Sequence, residues 1–271
     1  MRLKLRASTT LVCTLLLTVC LAQADTCAQL MSARGRGLNY TTLKSALLQV
    51  VPANSPTTTP NGGLGFPMWL TLVDGSGIVC AVVTSLDGTR NNADVTADIW
   101  LGSRLISAQK ANTANSFSTG LLALSTANLY AAVQPGGSLF GLQASNPVDA
   151  LEAYQGNVAN FGTSDDPLVG VRVGGVNVFG GGLALYYGGK KVGAIGVSGD
   201  TSCTDHVIAW KVRTLIHGGA VPVNGVFDKM IQDITFDPAT GLITKASASG
   251  FGHPPCLNNP TSANSGGSII Q

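Results

Sequence analysis

The sequence predicts an α+β fold in which helices flank an antiparallel sheet, and two observations lead to this prediction. The order strand, turn, strand, helix occurs twice along the chain, over about residues 68–118 and 176–216. In both units a short glycine-rich turn joins the two strands, as is typical of antiparallel hairpins. The helix after each hairpin is long enough to cover one face of the sheet, so helices and sheet can share a core.

The first unit is preceded by a helix expected over residues 40–50, where apolar side chains recur on one helical face. Apolar runs at 68–73 and 78–84 enclose the turn 74–77, which predicts the first hairpin. The helix expected over about 98–118 is rich in Ser, Ala, Thr, Asn and Gly. Such small side chains allow close approach, either of the sheet or of another subunit.

The second unit has strands expected at 176–187 and 192–198, followed by a helix over about 201–216. An irregular insert at about 119–170 separates the units, with a short helix expected at 148–154. No composition shift indicates an inter-domain linker, so residues 25–250 are expected to form one domain. A tail at 251–271, rich in Ser, Gly and Asn, is expected to be mobile.

The N-terminus has the pattern of a secretory signal peptide over residues 1–24. Three basic residues precede an apolar run at 11–21, which a small-residue triplet ending at Ala24 follows. A lipoprotein signal at Cys20 is the alternative, although lipidation favours a small residue where Val19 stands. Both interpretations predict export to the periplasm or the medium. The apolar run is about half the roughly 20 residues of a spanning helix, so no membrane span is expected.

Charge and composition indicate which kinds of partner the chain can be expected to bind. Removal of the signal takes three of 16 basic residues and none of 14 acidic ones, which leaves 13 against 14 and a net charge of −1. Without a basic patch, nucleic acid is not an expected partner. The chain is 45% apolar and only 11% charged, which predicts a homo-oligomer because a subunit interface covers surface that a monomer must keep polar.

Four of the six cysteines remain after signal removal: Cys27, Cys80, Cys203 and Cys256. An even number in an oxidising compartment favours disulfides, for which three pairings are open. We favour Cys27–Cys80 and Cys203–Cys256, which would tie down both ends of the chain. The absence of a CxxC pair argues against a zinc knuckle or thioredoxin-like chemistry.

Several common functional motifs are incomplete. The glycines at 175–182 and 193–199 lie in or beside predicted strands and lack the spacing of a phosphate loop. Ser198 is one residue short of the G-x-S-x-G spacing of a serine hydrolase. The three histidines of the chain have no metal-binding spacing, which argues against a multi-histidine site within one subunit.

Two stretches have a specific character: SAQKANTANSFS at 107–118 and GGVNVFGGGLALYYGGKKVGAIGVSGDTSCTDH at 174–206. They resemble the signature segments of the GlcG/HbpS-like haem-binding family, often called haem-degrading and also seen in the C-terminal domain of PduO-type proteins. The likeness covers about residues 40–118 and 171–217. It implies a profilin-like α/β/α arrangement, homo-oligomers, and haem or a related tetrapyrrole as the ligand of some members.

The resemblance also indicates which residues of this chain correspond to the family's signature positions. Lys110, Thr113 and Phe117 fall on the first signature, and Ser198, Gly199, Asp205 and His206 fall on the second. Members usually carry an acidic cluster near the latter position, where this chain has Thr204-Asp205-His206 after Cys203. From the first signature, Lys110 and Thr113 are expected to serve the haem propionates. Lys110 paired with an acid at a subunit contact is the alternative.

The residues of the last helix give an independent test, because a haem site needs apolar walls, an axial ligand and partners for two propionates. His206, Trp210, Arg213 and His217 recur at spacings of four, three and four and so share one helical face. That face can offer His206 to the iron, Trp210 as a wall and Arg213 to a propionate. An amphipathic surface helix without a ligand is the alternative.

The leading hypothesis is an exported haem-binding protein, with haem-degrading or peroxidase-like activity secondary to binding. An enzyme for a small oxidised metabolite, with Lys110 and His206 as acid–base groups and no haem, is the second. A structural or sensory oligomer that binds tetrapyrrole incidentally is the third. No residue is assigned a catalytic role.

Overall fold

The computed structural model of the protein describes residues 25–32, 34–51, 60–87, 94–219 and 228–270. The predicted signal peptide lies outside these residues, so its cleavage and the export of the chain stay predictions. Within the described residues, no helix combines the length and the apolar character needed to cross a membrane.

Four strands form the central sheet, in the spatial order β2-β1-β4-β3 with every neighbour antiparallel. They are β1 (Trp69–Asp74), β2 (Val79–Thr84), β3 (Gly182–Tyr187) and β4 (Lys190–Ser198). The two predicted hairpins are confirmed and join along β1 and β4, where Thr71 lies opposite Gly196. Strand β3 begins later than predicted, because the chain enters it through Gly181 at a φ of 119° that ordinary strand residues do not adopt.

The described residues contain six α-helices: α1 (Cys27–Met31), α2 (Tyr40–Val50), α3 (Gly102–Phe117), α4 (Tyr130–Val133), α5 (Ala150–Ala153) and α6 (Ser202–Leu215). Two 3₁₀ turns occupy Thr126–Leu129 and Val158–Asn160. Four short strands follow: β5 (Met230–Ile231), β6 (Thr235–Phe236), β7 (Ile243–Lys245) and β8 (Ile269–Ile270). The α+β class with an antiparallel sheet is confirmed, while the likeness to profilin stays a prediction.

Helices α2 and α6 share a core with one face of the sheet. Leu70 and Leu72 of β1 lie in the same buried cluster as Leu43 and Leu47 of α2 and Val212 of α6. Because successive strand side chains point to opposite faces, the residues between these leucines face the other side. The apolar stripe predicted for residues 40–50 is therefore the surface on which α2 packs.

Helix α3 packs on that other side, with Ala108, Ala111 and Ala114 in one cluster with Trp69 of β1. The approach is close: a Cβ added to Gly196 of β4 would lie 1.9 Å from a backbone oxygen of α3. The small side chains of α3 thus serve packing on its own sheet. They are not free for a subunit contact, and the homo-oligomer stays a prediction that needs another surface.

The insert and the tail both pack on the domain. In the insert, Asp166 accepts a hydrogen bond from Arg104 Nε of α3 at 2.9 Å, and Gly162 O accepts one from Tyr40 of α2 at 2.9 Å. In the tail, β8 pairs in parallel with β5, and Ser268 is fully buried. The sequence expectation of a mobile tail overlooked this pairing, because a two-residue strand leaves almost no periodic signal.

Both favoured disulfides are confirmed. Cys27 of α1 is bonded to Cys80 of β2, and Cys203 of α6 is bonded to Cys256 in the tail. The first bond fixes the start of the described chain to the sheet. The second fixes the tail to the N-terminus of α6.

Each disulfide joins cysteines 53 residues apart, so the loss of loop-closure entropy in the unfolded chain is the same for both. We expect replacement of either pair by serines to lower the free energy of unfolding by about 4 kcal/mol, measured by urea denaturation. In the wild-type exported protein, thiol titration in denaturant should detect no free thiol. Two or more reactive thiols in freshly isolated protein would contradict the assignment.

Candidate functional site

The two signature segments meet at Lys110, whose side chain crosses from α3 to the ends of β4 and α6. Its Nζ donates to Asp205 Oδ2 at 2.6 Å and to the carbonyl oxygen of Val197 at 3.0 Å, and lies 3.4 Å from Ser198 Oγ. The ring of Phe179 lies 4.7 Å from the same nitrogen. A residue of α3 is thereby bonded to both elements of the second signature.

The second carboxylate oxygen of Asp205 is bound by the backbone just before α6. Thr201 caps the helix by accepting a hydrogen bond from the amide of Thr204, and Asp205 Oδ1 accepts one from the amide of Asp200 at 3.0 Å. The Asp200 carboxylate in turn accepts amide hydrogen bonds from the loop before β1, among them that of Leu64 at 2.9 Å. Both oxygens of Asp205 are therefore engaged.

Burial dominates the electrostatics of this pair. Burial lowers the pKa of Lys110, although the charge of Asp205 acts in the opposite direction. Burial also raises the pKa of Asp205 to about 6, although the charge of Lys110 acts in the opposite direction. The side chains are 0% and 1% exposed. No substrate reaches them in this conformation, so the arrangement does not favour Lys110 as an acid–base group.

His206, the predicted iron ligand, lies inside the protein. It is fully buried, and neither ring nitrogen has a hydrogen bond of normal geometry within the described residues, although the backbone of Ser268 interacts with the ring. Burial, followed by the charge of Arg213, lowers the pKa of His206 to about 3. The imidazole is therefore neutral at neutral pH, as an iron ligand must be, but the macrocycle cannot approach it in this conformation.

Arg213, predicted to bind a propionate, already has a carboxylate partner. It forms a buried ion pair with Asp228 and donates to the carbonyl oxygen of Ala184 at 3.3 Å. Its guanidinium lies 4.5 Å from the centre of the Trp210 ring, and Trp210 is half-buried. A propionate could use Arg213 only in competition with Asp228.

Thr113 and Phe117 lie apart from the α6 face. Thr113 is fully buried; its hydroxyl donates to Gln109 O at 2.8 Å and accepts from the amide of Asn177 at 2.9 Å. Phe117 packs in a separate apolar cluster with Leu124. The structure therefore unites Lys110 with the second signature but does not bring Thr113 and Phe117 to the same surface.

Two open pockets lie beside α6 and share the lining residues Trp210 and Thr214; the two together are called the α6 groove. One pocket has a volume of about 350 Å³ and is lined also by Arg213 and His217. The other has a volume of about 580 Å³ and includes Val50, Asn61, Lys211 and Leu215. Both volumes fall in the range of about 300–1,000 Å³ that small-molecule sites occupy.

His217 is the imidazole that the groove exposes. It follows the last turn of α6 with a φ of 54°, a conformation that few residues other than Gly and Asn adopt. The helical spacing places His217 on the same face as His206, the residue that the sequence analysis favours for the iron. The positions are three helical turns apart, and only the packing of the tail and the sheet distinguishes the buried end from the exposed one.

Comparison with known proteins gives a family match and two similar solved structures. The family model of haem-degrading HbpS-like proteins matches residues 65–214, more than half of the chain. The crystal structure of a PduOC–haem complex is 24% identical over 66% of this chain and 92% of that chain, with a TM-score of 0.42. The crystal structure of the Klebsiella pneumoniae protein ORFY, of family model DUF336, is 19% identical over 80% of this chain and 100% of that chain, with a TM-score of 0.43. No curated protein matches.

The Lys110–Asp205 pair predicts opposite pH dependences for its two single variants. Lys110→Met leaves a buried carboxylate, so we expect a loss of about 3–5 kcal/mol at pH 8 that shrinks on acidification, because protonation removes the buried charge. Asp205→Asn leaves a buried ammonium, so its loss should shrink as the pH rises. Urea denaturation between about pH 5 and 9 measures both.

The double variant Lys110→Met/Asp205→Leu is the matched control. It carries no unpaired charge and should lose less stability than the sum of the single variants. Single variants whose losses stay parallel across the pH range would refute the assignment of this pair as a buried ion pair.

Proposed function

We propose that this chain, which belongs to the haem-degrading HbpS-like protein family, is an exported haem-binding protein of the periplasm or the medium. The family match over residues 65–214 is the observation that carries the proposal, since it includes both signature segments. Two disulfides and the lack of a spanning helix among the described residues are compatible with export. Any degrading or peroxidase-like activity is secondary to binding in this proposal.

The groove along α6 fits the general requirements of a haem site. Trp210 and Leu215 offer apolar surface, His217 offers an exposed imidazole, and Lys211 offers a cation. Lys211 Nζ donates to Asn61 Oδ1 at 2.6 Å, which leaves two of its protons for a propionate. We therefore place the macrocycle in this groove with His217 as the first candidate for the iron.

His206 remains a second candidate for the iron, supported by two ring nitrogens without a hydrogen bond of normal geometry within the described residues. Ligation by His206 requires the cover over its ring to open, because the side chain is fully buried. Arg213 then becomes available only if Asp228 releases it. The two candidates differ in an observable way, since one site is open in the described conformation and the other is closed.

Lys110, Thr113 and Phe117 have an indirect role in this proposal. Lys110 and Thr113 are buried and fully hydrogen-bonded, so they position α3 under β4 and the loop before β3. The non-haem enzyme remains the weaker alternative, because the acid–base pair that it needs is closed to a substrate. A homo-oligomer is compatible with either function.

Haem titration tests the site. We expect wild-type protein to give a Soret band with micromolar affinity, about 8 kcal/mol, from one imidazole–iron bond and apolar contact. His217→Ala should shift the band and weaken binding at least tenfold. Trp210→Ala should weaken binding through lost apolar contact while the ligand spectrum stays the same.

Trp100→Ala is the matched control, since Trp100 is 51% exposed and does not line the groove. It should bind haem like the wild type. If His206→Ala, and not His217→Ala, changes the spectrum, the buried histidine is the ligand and the groove assignment is wrong. Absence of a Soret band in the wild-type protein would refute haem binding itself.

A further inference from the structure

A second group of potential ligand atoms lies at the opposite end of α6 from His217. The sulfurs of Cys203 and Cys256 and a ring nitrogen of His253 all lie within 4.8 Å of one another. Two thiolates and an imidazole are the ligands that Zn²⁺ and similar thiophilic cations prefer. The sequence presents these residues as Cys203 and, 50 positions later, His-Pro-Pro-Cys, a spacing that gives no recognisable zinc motif.

The tautomer of His253 leaves Nε2, the ring nitrogen that faces Ser202, without a proton. Nδ1 lies 2.6 Å from the carbonyl oxygen of Pro254, to which it can only donate, so the proton resides on Nδ1. Nε2 therefore carries the lone pair, and it faces the hydroxyl of Ser202 at 2.9 Å. A ring whose Nδ1–H is fixed by a backbone carbonyl is the usual second-shell arrangement of a metal-bound histidine.

Each sulfur accepts a hydrogen bond from an amide. The amide of Cys203 donates to Cys256 Sγ at 3.2 Å. The side-chain amide of Gln232 donates to Cys203 Sγ at 3.3 Å. These donors, together with the N-terminus of the 14-residue helix α6, favour sulfur in its anionic form.

The other disulfide offers a comparison within the same chain. Cys27, Cys80 and Asp74 also lie within 4.8 Å of one another. Here, however, Asp74 Oδ1 accepts from the amides of Ser76 and Ile78, and Oδ2 accepts from the amide of Cys27. Backbone amides of the turn and of α1 thus hold both oxygens of Asp74, whereas the lone pair of His253 Nε2 accepts from the Ser202 hydroxyl, a single rotatable group that a cation can displace. This difference distinguishes the Cys27–Cys80 disulfide, which has a purely structural role, from the Cys203–Cys256 disulfide, which lies beside a potential metal ligand.

We propose that Cys203, Cys256 and His253 form a binding site for a thiophilic divalent cation such as Zn²⁺, which opens when their disulfide is reduced. A dithiol reductant transfers two electrons and two protons to the disulfide and becomes a disulfide itself. The cation then displaces the two thiol protons and binds both thiolates and Nε2 of His253. Cys256 is half-buried, so the reductant can attack from the solvent side.

Cobalt titration of the full mature chain tests the site, because thiolate-bound Co²⁺ absorbs strongly in the near ultraviolet. After reduction with a phosphine, which does not compete for the metal, we expect one Co²⁺ per chain and its displacement by Zn²⁺. His253→Ala should weaken binding at least tenfold at an unchanged thiol count. The double variant Cys27→Ser/Cys80→Ser is the matched control and should retain the site, and the oxidised wild type should show no thiolate–cobalt band.

Circular dichroism of the reduced protein without metal separates a formed site from cysteines in an unfolded chain. We expect the reduced protein to stay folded at 25 °C. Unfolding on reduction, unchanged Co²⁺ affinity in His253→Ala, or loss of the site in Cys27→Ser/Cys80→Ser would each overturn the proposal. None of these outcomes depends on haem binding.

Discussion

The ion pair between Lys110 and Asp205 is the constraint on which the arrangement of the molecule depends. It joins α3, on one side of the sheet, to α6, on the other, and it does so past the end of β4, where Val197 O accepts a further hydrogen bond from the same ammonium. A buried pair of this kind is not an efficient source of stability, because desolvation offsets much of the attraction. Its effect is specificity: any other packing of α3 or α6 would leave a charge buried without a partner. Gly196 of β4 allows this packing, since α3 can approach the strand at that position only in the absence of a side chain.

This constraint explains why several residues of the two signature segments are buried and not exposed to a ligand. The signature residues Lys110, Thr113, Ser198 and Asp205 are all at most 3% exposed. Their hydrogen bonds fix helices and strand ends, so in this chain they define a scaffold. The side of α6 that faces away from the sheet differs from this scaffold, because Trp210 and His217 border open volume there.

Periodicity and turn chemistry were sufficient to predict most of the architecture. Both hairpins and helices α2, α3 and α6 follow from local patterns. The even number of cysteines predicted disulfides, and the favoured one of three open pairings is the one observed. The surroundings of the candidate site residues were harder to predict, because helical spacing fixes a face but not what packs against it. His206 and His217 share a face, yet one is fully buried and the other is exposed. The partner of Arg213 lies 15 residues further along, at Asp228, in a stretch without periodic signal. Tail packing through the two-residue strand β8 had no local signal either.

The two ends of α6 are held with very different strength. At the N-terminus, the Thr201 cap, the Asp205 ion pair and the disulfide of Cys203 all act within the first turn. At the C-terminus, the helix ends at Leu215, which is 43% exposed, and the chain leaves through His217 in a left-handed conformation. A helix anchored at one end transmits little of a change at its free end to the core, because the anchored turn resists rotation. A ligand in the groove can therefore reorient the last turn at low cost, while a chemical change at Cys203 acts on the anchor itself and on the tail that it holds.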